Sequence, residues 1–225
     1  MSETPNRRPL RSRGSAWALR LARILSDAKA QPDTISAASV AFAILGGALL
    51  LWAGAEHALV RGAGFVGAAV CIQLRLLCNL MDGLVAVEHQ RGSPAGPIWN
   101  ELPDRFADAI LLACAGYASA GRGMPVGIEA GWICACLALI TAYVRELGRG
   151  FGFPADFAGP MAKPQRMAAL TVAVVVSAVE PLWGWHGQSL LIALVVIGLG
   201  AALTVARRTR TLARRLAERA NQGDA

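Results

Sequence analysis

Residues 79–108 read NLMDGLVAVEHQRGSPAGPIWNELPDRFAD, a polar and charged stretch in an otherwise strongly apolar chain. An apolar run at 60–80 leads into it, and another at 106–118 leads out of it. A helix needs roughly 20 apolar residues to cross a bilayer. The pattern therefore predicts two antiparallel membrane helices whose polar connection lies at one surface of the membrane.

Four further apolar runs lie on either side of this pair, at 35–54, 128–144, 167–183 and 190–206. The 225 residues are 55% hydrophobic and 16% charged, with a mean hydropathy of +0.44, whereas soluble domains carry about 25% charged residues. In lipid, a segment must satisfy its backbone hydrogen bonds within itself or within a closed barrel. We therefore predict an all-α, polytopic membrane protein with six transmembrane helices.

The basic residues indicate how these helices are oriented. Of 22, 19 lie in the N-terminal arm, in the connections after the second and fourth spans, or in the C-terminal tail. Positive residues concentrate on the cytoplasmic side of a membrane, so both termini and the polar stretch are expected there. The net charge of +7 thus follows the topology, and the basic soluble face that nucleic-acid binding needs is not predicted.

Outside the spans, the chain divides by composition. Residues 1–14 are polar and arginine-rich, which predicts a disordered arm. Residues 15–30 gather Trp17, Leu21 and Leu25 on one side, which favours an amphipathic interfacial helix over a continuation of the arm. The membrane domain then occupies 31–206, and the basic tail at 207–225 is expected to be helical and to lie against anionic lipid.

Two stripes of polar side chains are predicted where the second and third spans meet the polar stretch. Steps of four and three place Arg75, Asn79 and Asp82 on one face of the second span. Steps of four place Asn100, Asp104 and Asp108 on one face of the third. Ionisable residues in membrane helices usually mark a functional path. Oxygen ligands that converge from two helices suit a hard divalent cation such as magnesium.

Three small residues, Gly83, Ala86 and Gly96, accompany these stripes. Small side chains let two helices pack closely, and they also let a flat or phosphorylated ligand approach the backbone. Both explanations stay open from the sequence.

The same stretch resembles the signature of the CDP-alcohol phosphatidyltransferase family, D-x2-D-G-x2-A-R-x8-G-x3-D-x3-D. The first two signature aspartates fall on Asn79 and Asp82, and the last two fall on Asn100 and Asp104. The small signature residues fall on Gly83, Ala86 and Gly96, and the signature arginine falls on Val87. Every spacing is kept, while two aspartates and the arginine are replaced.

The resemblance extends over roughly residues 30 to 205. The six-span plan and the amphipathic N-terminal helix are similar to those of the family. So are the end of the fourth span, TAYVRELG, and the segment GPMAKPQR before the fifth. The motif spacing is the specific part of the resemblance.

This resemblance implies a membrane phosphotransferase of phospholipid biosynthesis. Family members move a phosphatidyl or phospho-alcohol group from a CDP-linked donor, such as CDP-diacylglycerol, to an acceptor hydroxyl, and CMP leaves. It further implies Mg²⁺ or Mn²⁺ as cofactor (one or two ions), a homodimer, and a bacterial inner-membrane location with the site facing the cytoplasm.

The resemblance also implies roles for individual residues. Asp82 and Asp104 would be catalytic metal ligands, and Asp104 would also be the base for the acceptor hydroxyl. The further expected metal ligands are Asn79, Asn100 and Asp108. Gly83, Ala86 and Gly96 would border the nucleotide. The residues expected to hold the acceptor or a lipid phosphate are Arg145, Arg149 and Arg166.

The replaced aspartates leave the metal site short of charge, since an asparagine ligates without a negative charge. Three explanations are open: one metal suffices, nearby Glu88, Glu101 or Asp108 supplies the charge, or catalysis has been lost. The last would make the chain a lipid- or nucleotide-binding regulatory protein. A small transporter is a third class of function, but the broken helices and repeated halves typical of transporters are not found in the sequence.

Overall fold

The computed structural model describes residues 15–55, 58–88 and 96–223, and within these ranges the regular structure is entirely helical. The helices, in chain order, are α1 (Ala16–Asp27), α2 (Pro32–Ala55), α3 (Ala58–Glu88), α4 (Gly96–Gly121), α5 (Gly127–Gly150), α6 (Lys163–Val179) and α7 (Gln188–Gly223). A 3-10 turn at Glu180–Trp183 extends α6. The arm at 1–14, for which disorder was predicted, lies outside the described residues.

Five of these helices are long and apolar enough to cross a membrane: α2, α3, α5, α6 with its 3-10 extension, and α7. The predicted all-helical membrane architecture is therefore confirmed. The third predicted span is α4, whose 26 residues would reach about 39 Å at 1.5 Å per residue. Its first half carries Glu101, Asp104 and Asp108, so α4 is not among the five apolar helices. The sixth span thus stays a prediction.

The N-terminal helix α1 forms at Ala16–Asp27, within the predicted segment 15–30. Its buried face, which includes Ala18 and Ala22, packs on the last turns of α3 at Met81 and Leu84. Lys29 then adopts a left-handed backbone conformation with φ of 58°, and α2 begins three residues later. The packing of α1 holds the end of α3 that carries the signature residues.

Glycine contacts set the position of α4 in the bundle. On α5, a Cβ at Gly131 would lie 2.8 Å from the carbonyl oxygen of Leu112 in α4. On α2, a Cβ at Gly54 would lie 2.7 Å from the Cα of Ala118 in α4. Only a residue without a side chain allows backbones to approach this closely. These contacts fix α4, and therefore its polar stripe, against both neighbours.

The helix α3 continues through the polar stretch rather than ending with its apolar run. It has 31 residues and ends at Glu88, so the signature residues up to Val87 are helical. The helix α7 is similarly long, with 36 residues, and carries the predicted basic tail as a direct continuation of the last span. Residues 89–95, which join α3 to α4, lie outside the described ranges.

Candidate functional site

Asp104 of α4 lies at the point where α3, α4 and the start of α6 meet. The Nδ2 of Asn79 in α3 donates a hydrogen bond of 2.7 Å to Asp104 Oδ1. Nη2 of Arg75, one turn earlier on α3, lies 3.3 Å from the same oxygen. Lys163, the first residue of α6, forms an ion pair with Oδ2. The structure therefore brings the first and fourth aspartate positions of the signature into direct contact, with the basic side chains of Arg75, Lys163 and, at 3.7 Å, Arg105 beside them.

Asp108 lies one turn further along α4, inside the bundle. Its Oδ1 lies 2.5 Å from Nη2 of Arg75, and its Oδ2 pairs with Nη2 of Arg166 from α6. The exposed fractions of these side chains are 2% for Asp108, 0% for Arg75 and 2% for Arg166. A buried charge is tolerated only when it is paired and hydrogen-bonded. Asp108 therefore carries the charge compensation for two buried guanidinium groups.

Asp82 of α3 has a different environment. Ser36 of α2 donates a hydrogen bond of 2.6 Å to its Oδ2. Its Oδ1 is buried and has no hydrogen-bond partner among the described residues. An unsatisfied buried carboxylate oxygen costs free energy, and it is also a ready ligand for a hard cation.

These six residues form one group, which we call the carboxylate–cation cluster: Asp82, Asp104, Asp108, Arg75, Lys163 and Arg166. Three carboxylates face three basic groups, so the formal charges of the cluster balance. Arg105 also lies 3.7 Å from Asp104 Oδ2, but its charge is balanced by Glu101 at 3.6 Å, so this pair adds no net charge. Two of the basic groups also have N–H donors that make no hydrogen bond among the described residues. Nε and Nη1 of both Arg75 and Arg166 are buried without a hydrogen-bond partner in the described part of the chain.

The cluster fits a divalent cation only in part. Among the described residues, no three side chains of His, Cys, Asp or Glu lie close enough together to hold a metal ion. Magnesium, however, is usually bound through one or two carboxylates together with substrate phosphates. The free oxygen of Asp82, the carboxylate of Asp104 and the amide oxygen of Asn79 suit such a shared site. Asn100 lies on α4, but its side chain is outside the described part of the structure.

The three small signature residues lie near the facing ends of α3 and α4. Gly83 and Ala86 lie half-buried near the end of α3, and Gly96 begins α4. They therefore flank the connection at 89–95. The side chain of Val87, where the signature has arginine, lies outside the described part.

The three predicted phosphate-holding arginines do not form one group. Arg145, near the end of α5, pairs with Glu101 of α4 and also with Glu146 at 2.8 Å. Arg149 is exposed and pairs with Glu146 at 2.7 Å. Arg166 belongs to the interior cluster. Arg145 also lines a pocket together with Phe153, Pro154, Asp156, Arg208, Thr211 and Arg215.

Two residues of the cluster, Arg75 and Lys163, were not predicted from the sequence to have a role in the site. Arg75 was placed on the polar face of the second span, and Lys163 was counted only as a topology residue. A signal was present for each. Arg75 interrupts an apolar run and so requires an acidic partner. Lys163 is one of two lysines in the chain and lies three residues before Arg166, on the same face of α6.

Comparisons with known proteins agree with this fold. No protein-family model matches the chain. The phosphatidylinositol phosphate synthase of Mycolicibacterium smegmatis is 23% identical over 190 residues, which cover 80% of this chain and 77% of that protein. The synthase of Streptomyces avermitilis is 27% identical over 190 residues, covering 83% of this chain and 74% of that protein.

Solved structures give the same result for the fold. The crystal structure of the Mycobacterium tuberculosis phosphatidylinositol phosphate synthase with CDP-DAG bound superposes with a TM-score of 0.72 at 19% identity, covering 88% of this chain and 94% of that one. The same protein in complex with manganese and citrate also gives a TM-score of 0.72 at 19% identity, covering 87% and 88%.

Proposed function

We propose that the chain is a member of the CDP-alcohol phosphatidyltransferase family and acts as a membrane phosphotransferase of phospholipid biosynthesis. It moves a phosphatidyl (or phospho-alcohol) group from a CDP-linked donor, such as CDP-diacylglycerol, to an acceptor hydroxyl and releases CMP. Two relatives that act as phosphatidylinositol phosphate synthases support this proposal. So does the structural neighbour with CDP-DAG bound.

One observation in this chain carries the proposal. Asn79 and Asp104, which are 25 residues apart and come from two helices, are joined by a hydrogen bond of 2.7 Å. They stand at the first and last acidic positions of the family signature, and their contact across two helices supports a single site. Asp82, whose Oδ1 has no hydrogen-bond partner in the described ranges, lies on the same side of α3 as Asn79.

The reaction places two demands on these residues. The oxygen of the acceptor hydroxyl forms a bond to the lipid-bearing phosphorus, and the bond from that phosphorus to the oxygen of CMP breaks. Asp104 accepts the hydroxyl proton, and Lys163 and Arg75 beside it attract the negative charge of the phosphates. A bound Mg²⁺ or Mn²⁺ supplies further neutralisation of the diphosphate. Its proposed ligands are Asp82 and Asp104, with the amide oxygens of Asn79 and Asn100.

The remaining site residues have supporting roles. Gly83, Ala86 and Gly96 leave room for the nucleotide beside the connection at 89–95. Arg145 and Arg149 hold an anionic acceptor or lipid phosphate at the end of α5. The metal-ligand role predicted for Asp108 stays a prediction. It requires Asp108 to release Arg75 and Arg166, so we favour Asp108 as the residue that holds these two side chains in place. Arg166 then contributes to the site through its ion pair with Asp108.

The same proposal covers topology and assembly. The chain crosses the bacterial inner membrane six times with α4 as the third span, and both termini and the site face the cytoplasm, as the basic residues indicate. Its α1 lies at the interface and its basic tail lies against anionic lipid. Two copies form a homodimer.

The test is release of CMP by the purified protein with CDP-diacylglycerol, Mn²⁺ or Mg²⁺, and a panel of acceptor alcohols. Asp104→Asn should lower the rate about 10²- to 10⁴-fold, the usual contribution of a general base. Asp27→Asn, which removes an exposed carboxylate at the end of α1, serves as the matched control and should retain the rate. A protein that neither binds the donor nor releases CMP with any acceptor would contradict the proposal.

A second candidate function rests on the saturation of Asp104 and Asp108 by basic groups. In that case the chain binds a CDP-linked lipid or a nucleotide without turnover and acts as a regulatory membrane protein. Donor binding without any CMP release would favour this function over the transferase.

A further inference from the structure

The carboxylate–cation cluster is electrically balanced before any metal ion binds. Asp82, Asp104 and Asp108 bring three negative charges, and Arg75, Lys163 and Arg166 bring three positive ones. The adjoining pair of Arg105, 3.7 Å from Asp104, and Glu101, 3.6 Å from Arg105, is neutral and leaves this balance unchanged. The most exposed of the ion-paired members, Lys163, has only 23% of its side chain accessible. Uncompensated charge in such surroundings is costly. Any cation that enters must therefore be accompanied by an anionic group that balances its charge.

Asn79 shows how the charge of Asp104 is compensated before any metal ion binds. An aspartate at position 79 would place a second carboxylate next to Asp104 Oδ1, and two such groups would need a cation between them. The asparagine instead donates a hydrogen bond of 2.7 Å to this oxygen. Arg75 and Lys163 supply positive charge to the same carboxylate. Asp104 is thus stabilised entirely by groups of the protein.

Asp82 shows the opposite situation. Its one observed side-chain partner is the neutral hydroxyl of Ser36, and its Oδ1 is buried without a hydrogen-bond partner among the described residues. No basic side chain pairs with it in the described ranges. Before the ion binds, the unmet demand for positive charge is therefore greatest at Asp82.

We propose that this site takes one divalent cation rather than two, that the ion enters at Asp82 together with the diphosphate of the donor, and that Lys163 with Arg75 takes the role of a second ion. The inference rests on the proposed transferase function. A diphosphate diester carries two negative charges, so one dication and one donor leave the cluster neutral. A second dication would leave two uncompensated positive charges in a buried site.

The first measurement counts the ions. Mn²⁺ binding to the full-length protein in lipid nanodiscs is followed by electron paramagnetic resonance and by calorimetry, with and without CDP-diacylglycerol. We expect one ion per protomer, bound about 10- to 100-fold more tightly when the donor is present. By linkage, Mn²⁺ should tighten donor binding by the same factor.

The second measurement changes the charge of the cluster. Lys163→Met leaves one net negative charge, so Mn²⁺ should bind without donor about tenfold more tightly than to the wild type. Lys163→Arg keeps the charge, so its affinity for Mn²⁺ without donor should match that of the wild type. Lys29→Met removes the only other lysine, which is exposed, and should change nothing. The double variant Lys163→Met/Asn79→Asp has two net negative charges, which a second dication balances, and should bind two ions with the donor.

The possible outcomes separate this inference from the proposed function. Two ions in the wild-type protein, or one ion bound equally tightly with and without donor, would overturn the inference and leave the transferase intact. CMP release without any bound ion would also overturn it. Failure to bind the donor and to release CMP under all conditions would remove the proposed function and this inference together. The wild-type ion count decides the question even if Lys163→Met does not fold.

Discussion

Replacing Asp108 with asparagine separates two roles for this residue, as the anchor of the interior ion pairs or as a metal ligand. The change removes one negative charge and keeps the size of the side chain. Asp108 lies 2.5 Å from Arg75 and also pairs with Arg166, and all three side chains are at least 98% buried. Breaking a buried ion pair costs about 3–5 kcal/mol, because the remaining charge stays buried without a partner.

The structure narrows that range. Arg75 keeps its contact of 3.3 Å with Asp104, whereas Arg166 has no second ion pair in the described part of the chain. One guanidinium group is therefore left unpaired rather than two, and we expect a loss of about 3 kcal/mol in the free energy of unfolding. The double variant Asp108→Asn/Arg166→Met removes the unpaired charge as well. It should recover about 2 kcal/mol, a typical coupling energy between residues in contact.

The assay is unfolding of the purified protein by sodium dodecyl sulfate in mixed micelles, followed by tryptophan fluorescence, with Mn²⁺ binding measured on the same samples. Asp104→Asn is the comparison, because Asp104 is more exposed and Arg75 would still have Asp108. A loss below about 1 kcal/mol for Asp108→Asn, combined with abolished Mn²⁺ binding, would refute the argument. Asp108 would then be a metal ligand. A double variant no more stable than the single one would equally contradict the pairing energetics.

Three further predictions concern packing, charge and metal. Gly131→Ala should lower the free energy of unfolding by about 1–3 kcal/mol, since the added Cβ would lie 2.8 Å from a backbone oxygen of α4. Gly150→Ala, at a position with open space, should not, and equal losses would rule out this packing. Arg145→Met should raise the KM for an anionic acceptor about tenfold with little change in kcat, as expected for a lost charge-assisted hydrogen bond. A kcat effect alone would argue against that role. Removing divalent metal with EDTA should abolish CMP release, and Mn²⁺ should restore it. EDTA should leave the unfolding midpoint unchanged because Arg75 and Arg166 pair with Asp108 without metal, so a marked fall in the midpoint would contradict the pairing.

The sequence was sufficient for the helices because hydrophobic periodicity is a local property. The runs at 35–54 and 128–144 fall within α2 and α5. The spacing of Asn79, Asp82 and Asp104 placed these residues correctly near the junction of α3 and α4. The apolar run underestimated α3, which continues to Glu88. Polar residues on one face of a helix end an apolar run without ending the helix.

The partners of the charges were not predictable from the sequence. Lys163 meets Asp104 across 59 residues of chain, and Arg166 meets Asp108 across 58. Nothing in a local pattern relates such positions. From the sequence, Arg166 fitted a topology role and a phosphate-binding role equally well. In the structure, α6 packs against α3 and the side chain of Arg166 is buried inside the bundle.

The sequence by itself therefore predicted the membrane helices, the resemblance to a family of transferases and a candidate site between Asn79 and Asp108. Only the tertiary structure decided that Asp104 and Asp108 are already neutralised by Arg75, Lys163 and Arg166, while one oxygen of Asp82 has no hydrogen-bond partner among the described residues. The physical reason is that the energy between two charges depends on their separation and on the surrounding dielectric. Both quantities exist only once the helices have packed.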